Sequence, residues 1–459
     1  MRLRKSLLRC RVNAPCAFRF DDEGLTSFSG LELVRIFLTR LDFARRLRER
    51  LCDTLPKSDY SVVGLVLLLI AMLLTGGRRV SHVRMLAHDP VVARFCGLEK
   101  LPTERTVSRW LGQFDEAQVE ALSEVPEQVA VDVIQALGLR RLTLDIDGSV
   151  VSTGLSVDGA QRGYNPHRRK VPSYFPITAY EAQSGMLLRV ENRPGNIHDG
   201  AAAVTFLQGL IAQVRRDLPA VTQLECRLGS AFFQRKILEC LDRGKAEYAI
   251  KVPFWSGLDL KERIAYRKQW QRVSDGLDWF ETSVGIEPWK RRERVIIYRK
   301  KVFHRTAKNY QLDLFDPDDG TFEYSAIATN KTLTGPALWQ FMAGRGTHEK
   351  VYGELKTGFA FDTVPSLALG ANSAWQVLSV LAFNLSRAMQ ASLQTPRPVT
   401  TAKRAARFCY RSIRTLRFEW LNRAGRLVRP NGKTTLDVGI APSVRKHFTE
   451  IASTLGLCT

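Results

Sequence analysis

Two carboxylates two residues apart, Asp145 and Asp147, close the segment Arg141-Leu-Thr-Leu-Asp-Ile-Asp147 and are followed by Gly148-Ser149. In an extended chain alternate residues share a face, so both acids point to one side of a strand. Like charges crowded this way are costly unless a cation or a basic partner relieves them. Magnesium suits such a place, because it takes one or two protein carboxylates and leaves its other positions to water and phosphate oxygens. A solvated strand end carries the same pattern. A third acid, Glu349, lies in the arrangement Arg345-x3-Glu349-x6-Lys356. On a helix these three side chains fall within about 40° of one another. A carboxylate flanked by cations stays ionised and can hold a metal, while Arg and Lys can grip phosphates. Ordinary surface ion pairing uses the same residues, and Gly344, Gly346 and Gly353 weaken this helix.

Positive charge is concentrated in two further places. Between Arg397 and Arg429 ten basic residues face one acid, Glu419. Within that tail Arg404, Arg407, Arg411 and Arg414 recur at i+3 and i+4, the spacing of a helical stripe suited to a DNA backbone. Lys290, Arg291 and Arg292 follow Trp289, with Arg294 and Arg299-Lys-Lys301 close by.

Several kinds of element must position these residues. Residues 1–135 read as mainly helical, with helix-period apolar positions at Leu31–Leu38, Leu38–Leu51 and Val62–Leu74. Thr103 reads as the cap of a further helix, which serves either a DNA-reading unit or plain packing. From about 136 the pattern becomes strand-like. Arg141–Asp147 alternates, and Ser173–Ala179 and Met186–Glu191 form a hairpin across Gln183-Ser-Gly185. A helix from Asp199, a strand at Leu224–Leu228, a helix at Phe232–Arg243 and a strand at Tyr248–Val252 continue it, which argues for a mixed sheet with helices on its faces. Residues 259–335 read as an antiparallel insertion, with strands at Trp279–Ile286, Arg294–Phe303, Tyr310–Leu314 and Phe322–Thr329 and a turn at Asp316–Gly320. Helix returns at Pro336–Lys356 and Ala374–Leu393.

Composition narrows the class. The chain has 459 residues and 68 Lys+Arg against 46 Asp+Glu, a net charge of +22. That excess repels itself unless a polyanion neutralises it, so nucleic acid is the first partner to consider. The longest apolar run, Val62–Leu74, is 13 residues and too short for a bilayer span of about 20. The basic N-terminus lacks an apolar core of signal-peptide length. Eight cysteines without a CxxC read as free thiols in a reducing cytoplasm rather than a disulfide framework or zinc site.

Three stretches taken together resemble the bacterial insertion-sequence DDE transposases. They are LDIDGSVVSTGLSVDGAQRGYNPHRRKVPSYFPITAYEAQSGMLLRVENRPGNIHDG, CRLGSAFFQRKILECLDRGKAEYAIKV and GRGTHEKVYGELKTGF, and the similarity runs in order over residues 25 to 435. The branch they are most similar to is the insertion-sequence family numbered thirteen-eighty, in the group marked by a Y-x2-R-x3-E-x6-K signature. The resemblance implies an RNase H-like core interrupted by a β insertion, with three carboxylates holding two Mg2+ (or Mn2+) ions for in-line phosphoryl transfer. It implies end cleavage and strand transfer of insertion-sequence DNA, with double-stranded terminal inverted repeats and target DNA as partners and a homodimer on DNA. Matched residue by residue, it makes Asp147 the first catalytic Asp and Glu349 the catalytic Glu, both metal ligands, with Arg345 and Lys356 as the signature cations. The signature Tyr falls on Met342. Gly163-Tyr164-Asn165-Pro166 and Arg193-Pro194-Gly195-Asn196 match loops at the rim of the site. The related insertion can stack an aromatic on a flipped base, for which Trp289 is the candidate here, with a core tryptophan as its other reading.

One position departs. The family reads R-x-D-S-x-F after its fourth strand, whereas this chain reads Arg227-Leu-Gly229-Ser-Ala-Phe232, so Gly229 stands where the second catalytic Asp is expected. Glu225 is four residues earlier and roughly 13 Å away along the strand, too far to replace it. Asp242 falls at the far end of the following helix. The expectation is a transposase with severely reduced or absent catalysis. The alternative is a catalytically inactive transposase-derived DNA-binding protein, and a third reading is a metal-dependent nuclease without strand transfer. The organisation expected is a helical DNA-binding region at 1–135, an RNase H-like first part at 136–258, a β insertion at 259–335, a second core part with the Glu helix at 336–395, and a basic tail at 396–459, in a bacterial cytoplasmic, nucleoid-associated protein.

Overall fold

The structure, a computed structural model, describes residues 16–154, 156–163, 165, 168–197, 199–301, 321–398, 402–439 and 441–456. The strand expected at Tyr310–Leu314, the turn at Asp316–Gly320, Tyr164 and Pro166 of the first rim loop, Cys10 and Cys458 lie outside the described residues.

The N-terminal region is helical: α1 (Gly30–Arg40), α2 (Phe43–Leu51), α3 (Val62–Thr75), α4 (Pro90–Cys96), α5 (Glu104–Leu111) and α6 (Glu116–Ala136). Nearly every residue of α3 is buried, which accounts for a helix that is apolar all round. The Ser61 hydroxyl caps its start by accepting from the Gly64 amide, and Gly76, at φ +113°, ends it. Helix α5 starts where the Thr103 hydroxyl accepts from the Thr106 amide. It turns Val107, Trp110 and Leu111 inward, and the Trp110 indole donates to the Pro56 carbonyl at 2.8 Å.

A nine-stranded mixed sheet follows, built from β1 (Arg141–Gly148), β2 (Ile177–Glu181), β3 (Leu187–Glu191), β4 (Gln223–Leu228), β5 (Ala246–Val252), β6 (Gln271–Ser274), β7 (Leu277–Ile286), β8 (Arg291–Lys301) and β9 (Phe322–Thr329). The spatial order is β3-β2-β1-β4-β5-β9-β8-β7-β6. Strands β1, β4 and β5 are parallel to one another, and the other pairings are antiparallel. Helix α7 (Asp199–Asp217) crosses from β3 to β4, α8 (Arg235–Arg243) from β4 to β5, and α9 (Leu260–Ala265) precedes β6. The strands of 271–329 extend the central sheet directly, because β9 pairs with β5. The chain is therefore a mixed α/β protein with helices flanking one large sheet.

After the sheet come α10 (Gly335–Ala343), α11 (Gly346–Phe359) and α12 (Leu369–Ser392), with α13 (Ile413–Leu416) and α14 (Pro442–Thr454) in the tail. Helix α12 is a buried spine packed on α3, α6 and β3, and the Asn384 amide bonds both the Leu187 backbone and the Pro126 carbonyl. Two expectations need correction. The single helix expected over Pro336–Lys356 is broken between α10 and α11 at Gly344-Arg345. There the Arg227 guanidinium passes so close that a Cβ on Gly344 would collide with it and with the Lys403 carbonyl. The second correction is that Arg404, Arg407, Arg411 and Arg414 do not form a helical stripe. Residues 402–412 are irregular, and Arg404 has φ +55°. Tertiary partners take the backbone groups that a helix would use: the Arg407 amide donates to the Gln183 carbonyl at 2.7 Å and the Arg411 amide to Gln390 Oε1 at 2.8 Å.

No helix among the described residues is long and apolar enough to cross a membrane. The six described cysteines, Cys16, Cys52, Cys96, Cys226, Cys240 and Cys409, are all free thiols.

Candidate active site

The alternation of β1 puts Leu142, Leu144 and Ile146 on one face and Thr143, Asp145 and Asp147 on the other. Its parallel neighbour β4 does the same with Glu225 and Arg227. The register pairs Thr143 with Glu225 and Asp145 with Arg227, and the next step along the ladder sets Asp147 beside Gly229. Gly229 is extended, with φ −75° and ψ 174°, so it continues the strand path into the turn Ser230–Phe232. This polar ladder is mostly buried, and each rung is neutralised differently.

At the first rung the fully buried Glu225 carboxylate accepts from the Thr143 hydroxyl at 2.7 Å, Lys331 Nζ at 2.8 Å and Arg404 Nε at 3.1 Å. Burial opposes its charge, but Arg404 and Lys331 win and hold its pKa at about 2. At the second rung the Asp145 carboxylate takes a two-pronged ion pair from Arg227, with Nη2 at 2.8 Å from Oδ2, both residues fully buried. Burial still pushes Asp145 above the usual carboxylate range, against the pull of Arg227. Arg227 Nη1 also donates to the carbonyls of Phe341 at 2.8 Å and Lys403 at 2.9 Å. Asp145 is thus committed to a structural arginine.

The third rung opens toward solvent. Asp147 Oδ2 pairs with Arg345 Nη2 at 2.8 Å, both side chains partly exposed. A Cβ built on Gly229 would meet the same guanidinium, with Nη2 3.2 Å away. Helix α11 runs beside this corner: the Tyr352 hydroxyl donates to the Asp147 carbonyl at 2.8 Å, and Lys356 Nζ donates to the Val150 carbonyl at 2.9 Å. Burial lowers the Lys356 ammonium below the usual lysine range. Glu349 is exposed and lies on the helical face defined by those contacts, between Arg345 and Tyr352. His348, one residue before it, is fully buried, and burial holds its imidazole well below the usual range.

The rim loops meet at this end of the sheet. Gly163 and Gly195 approach so closely that a Cβ on Gly163 would strike the Gly195 backbone. Asn165 bonds the Ser152 hydroxyl at 3.1 Å, and Arg193 donates to the Phe175 carbonyl, also at 3.1 Å.

The remaining candidates spread out. Trp289 is half-buried in a ring cluster with Phe233 and Trp255, at centroid distances of 5.3 and 6.4 Å. Phe233 belongs to the turn that follows Gly229, so the cluster joins the insertion to the site's edge. Arg291 is turned onto the sheet between Asp242, at 2.7 Å, and Glu293, whereas Lys290 and Arg292 are exposed. Arg404 is held by Glu225, Arg407 Nε donates to the Arg397 carbonyl at 2.7 Å, Arg411 pairs with Glu419, and Arg414 is exposed. Sequence reasoning missed Arg227, Thr178, His348 and Tyr352. The alternation Glu225-x-Arg227-x-Gly229, matching Thr143-x-Asp145-x-Asp147, was the available signal.

A two-metal site needs carboxylates converging from three places. Asp147 and Glu349 supply two, Gly229 supplies no side chain, and the Arg345 guanidinium already occupies an Asp147 oxygen. No group of three or more His, Cys, Asp or Glu side chains among the described residues could hold a metal ion. The residues present do not fit the two-metal arrangement.

The comparisons give first the class. The family profile described as Transposase DDE domain group 1 matches residues 9–457, and the chain belongs to that family. Among solved structures the chain is similar to a piggyBac transposase in a synaptic complex with hairpin DNA, with a TM-score of 0.43 and 9% identity over 95% of this chain and 88% of that one. No curated protein matches.

Proposed function

We propose that this chain is a transposase of the insertion-sequence branch numbered thirteen-eighty that binds double-stranded transposon ends and has lost most of its cleavage and strand-transfer activity. The order β3-β2-β1-β4-β5, with an antiparallel first hairpin and parallel β1, β4 and β5, supports an RNase H-like core, with β6–β9 as its insertion. Asp147 and Glu349 are its surviving catalytic carboxylates. Arg345 and Lys356 are the cations of the signature, and Arg345 balances Asp147. The exposed Lys290, Arg292 and Arg414 bind phosphates, and a homodimer holds two ends. Terminal inverted repeats and target DNA are the partners, and divalent metal use is what family membership suggests.

The observation that carries the impaired reading is the position of Gly229 at the Arg345 guanidinium, one ladder step beyond Arg227 and beside Asp147. It equally favours the second reading, a DNA-binding protein that does not cleave. The deciding experiment measures Mg2+-dependent cleavage of the cognate terminal repeat by the natural chain and by Gly229→Asp. Recovery of cleavage in Gly229→Asp, with little in the parent, supports the impaired enzyme. Equal turnover by the two refutes impairment. Binding without cleavage by both favours the non-catalytic reading.

A further inference from the structure

Thr178, in β2, is the register partner of Asp147 and is fully buried. Its hydroxyl lies 2.8 Å from His348 Nε2 and 2.8 Å from the Tyr352 hydroxyl, which in turn lies 2.8 Å from the Asp147 carbonyl oxygen. Counting protons assigns a direction to this chain. A carbonyl only accepts, so the one Tyr352 proton goes to Asp147. Tyr352 then accepts from Thr178, whose one proton is spent there. Thr178 must therefore accept from His348, which places the imidazole proton on Nε2. A neutral ring with that tautomer leaves Nδ1 bare, and Nδ1 is a buried atom with no hydrogen-bond partner. The His348 ring is also held between two others: Tyr180 at 5.5 Å and 22°, and Tyr352 at 4.9 Å and 14°.

We propose that His348, Thr178 and Tyr352 are positioning residues: a one-way relay of donors, His348 to Thr178 to Tyr352, pins the main chain of Asp147 to helix α11 and so fixes the spacing between Asp147 and Glu349. The catalytic meaning of that spacing rests on the reading above, while the relay itself does not. The stacked rings set the rotation of α11 about its axis. The hydroxyls set its distance from β1, and none of the three side chains needs to touch substrate.

The test uses the full chain and two readouts that do not depend on activity. Selective 15N labelling of histidine, with His348→Gln to assign the signal, should show His348 as the neutral Nε2–H tautomer. An Nδ1–H tautomer overturns the relay. Hydrogen exchange of the peptide spanning 147–150 should quicken at least tenfold in Tyr352→Phe and in Thr178→Val, and stay near the parent rate in Thr178→Ser, which keeps the hydroxyl. Unchanged exchange in Tyr352→Phe overturns the positioning role. Global unfolding measured alongside separates local release from general destabilisation. In a Gly229→Asp background, adding Tyr352→Phe should lower the cleavage rate at saturating DNA at least tenfold with the DNA Kd unchanged. Equal rates overturn the catalytic part of the proposal. If Gly229→Asp itself does not cleave, the proposed function fails, and the tautomer and exchange results still decide the relay.

Discussion

Arg345 and Asp147 are joined by an ion pair of 2.8 Å at the open end of a ladder whose inner rungs are closed by Arg227 and by Lys331 with Arg404. The same guanidinium borders Gly229. One arginine therefore answers for two ladder positions, only one of which carries a carboxylate.

Removing that arginine should weaken the fold modestly and locally. Arg345→Gln leaves a half-buried Asp147 without its cation, which costs about 1–2 kcal/mol on the scale of charge-assisted hydrogen bonds. Urea unfolding at neutral pH measures it. In the Gly229→Asp chain the added carboxylate also faces Arg345, so the cost of Arg345→Gln should rise there.

Glu225 makes stability acid-sensitive. Its folded pKa of about 2 lies below the unfolded value of 4.5, so its contribution is fully present above pH 4.5 and is lost as pH falls toward 2. The shift corresponds to about 3 kcal/mol. Glu225→Gln strands Lys331 and Arg404 and should destabilise the chain at neutral pH. The gap from the parent, read as the difference in urea midpoint, should shrink between pH 4.5 and pH 2.5.

Glu127 acts with the opposite sign. Burial raises its pKa to about 7, so the stability it contributes is present below pH 4.5 and is lost as pH rises through 7. Gln213 Nε2 bonds its carboxyl at 2.9 Å. Glu127→Gln should therefore stabilise the chain at pH 8 by up to about 3 kcal/mol and change little below pH 4.5. Thermal melts at the two pH values check it.

Gly344→Ala should cost about 1–3 kcal/mol by overpacking, because the new methyl meets Arg227 and the Lys403 carbonyl. The matching change Gly353→Ala, where a Cβ meets nothing within 4 Å, should be neutral or slightly stabilising. Paired denaturation curves distinguish the two.

The arginines expected to bind DNA should divide into two groups. Arg414→Ala and Arg292→Ala remove exposed cations, and each should lower the salt slope of DNA binding by about 1 while leaving the melting temperature in place. Arg404→Ala should instead lower the melting temperature, because its guanidinium serves Glu225.

Much of this architecture was readable along the chain because it is local. The period-two alternation of Arg141–Asp147, the apolar run of α3 and the β-α-β succession from Leu224 to Val252 each carry their own signal. Partnership was not readable. Nothing local to Asp145 says that Arg227, 82 residues away, will neutralise it rather than a metal ion. The i+3 and i+4 arginine spacing from Arg404 to Arg414 is a true helical period, yet Gln183 and Gln390 claim the backbone there. Gly344 was visible as a weak point in a helix, but the reason for the break lies on β4.

Arg227 and Glu225 also impose an order of events on synthesis. Residues 145, 225 and 227 emerge from the ribosome long before Lys331, Phe341, Lys403 and Arg404, so the inner charges of the sheet stay uncompensated until almost nine-tenths of the polypeptide exists. A nascent chain, or a fragment ending before residue 403, cannot close its own centre, and whatever the mature protein does to DNA is withheld until translation is nearly complete.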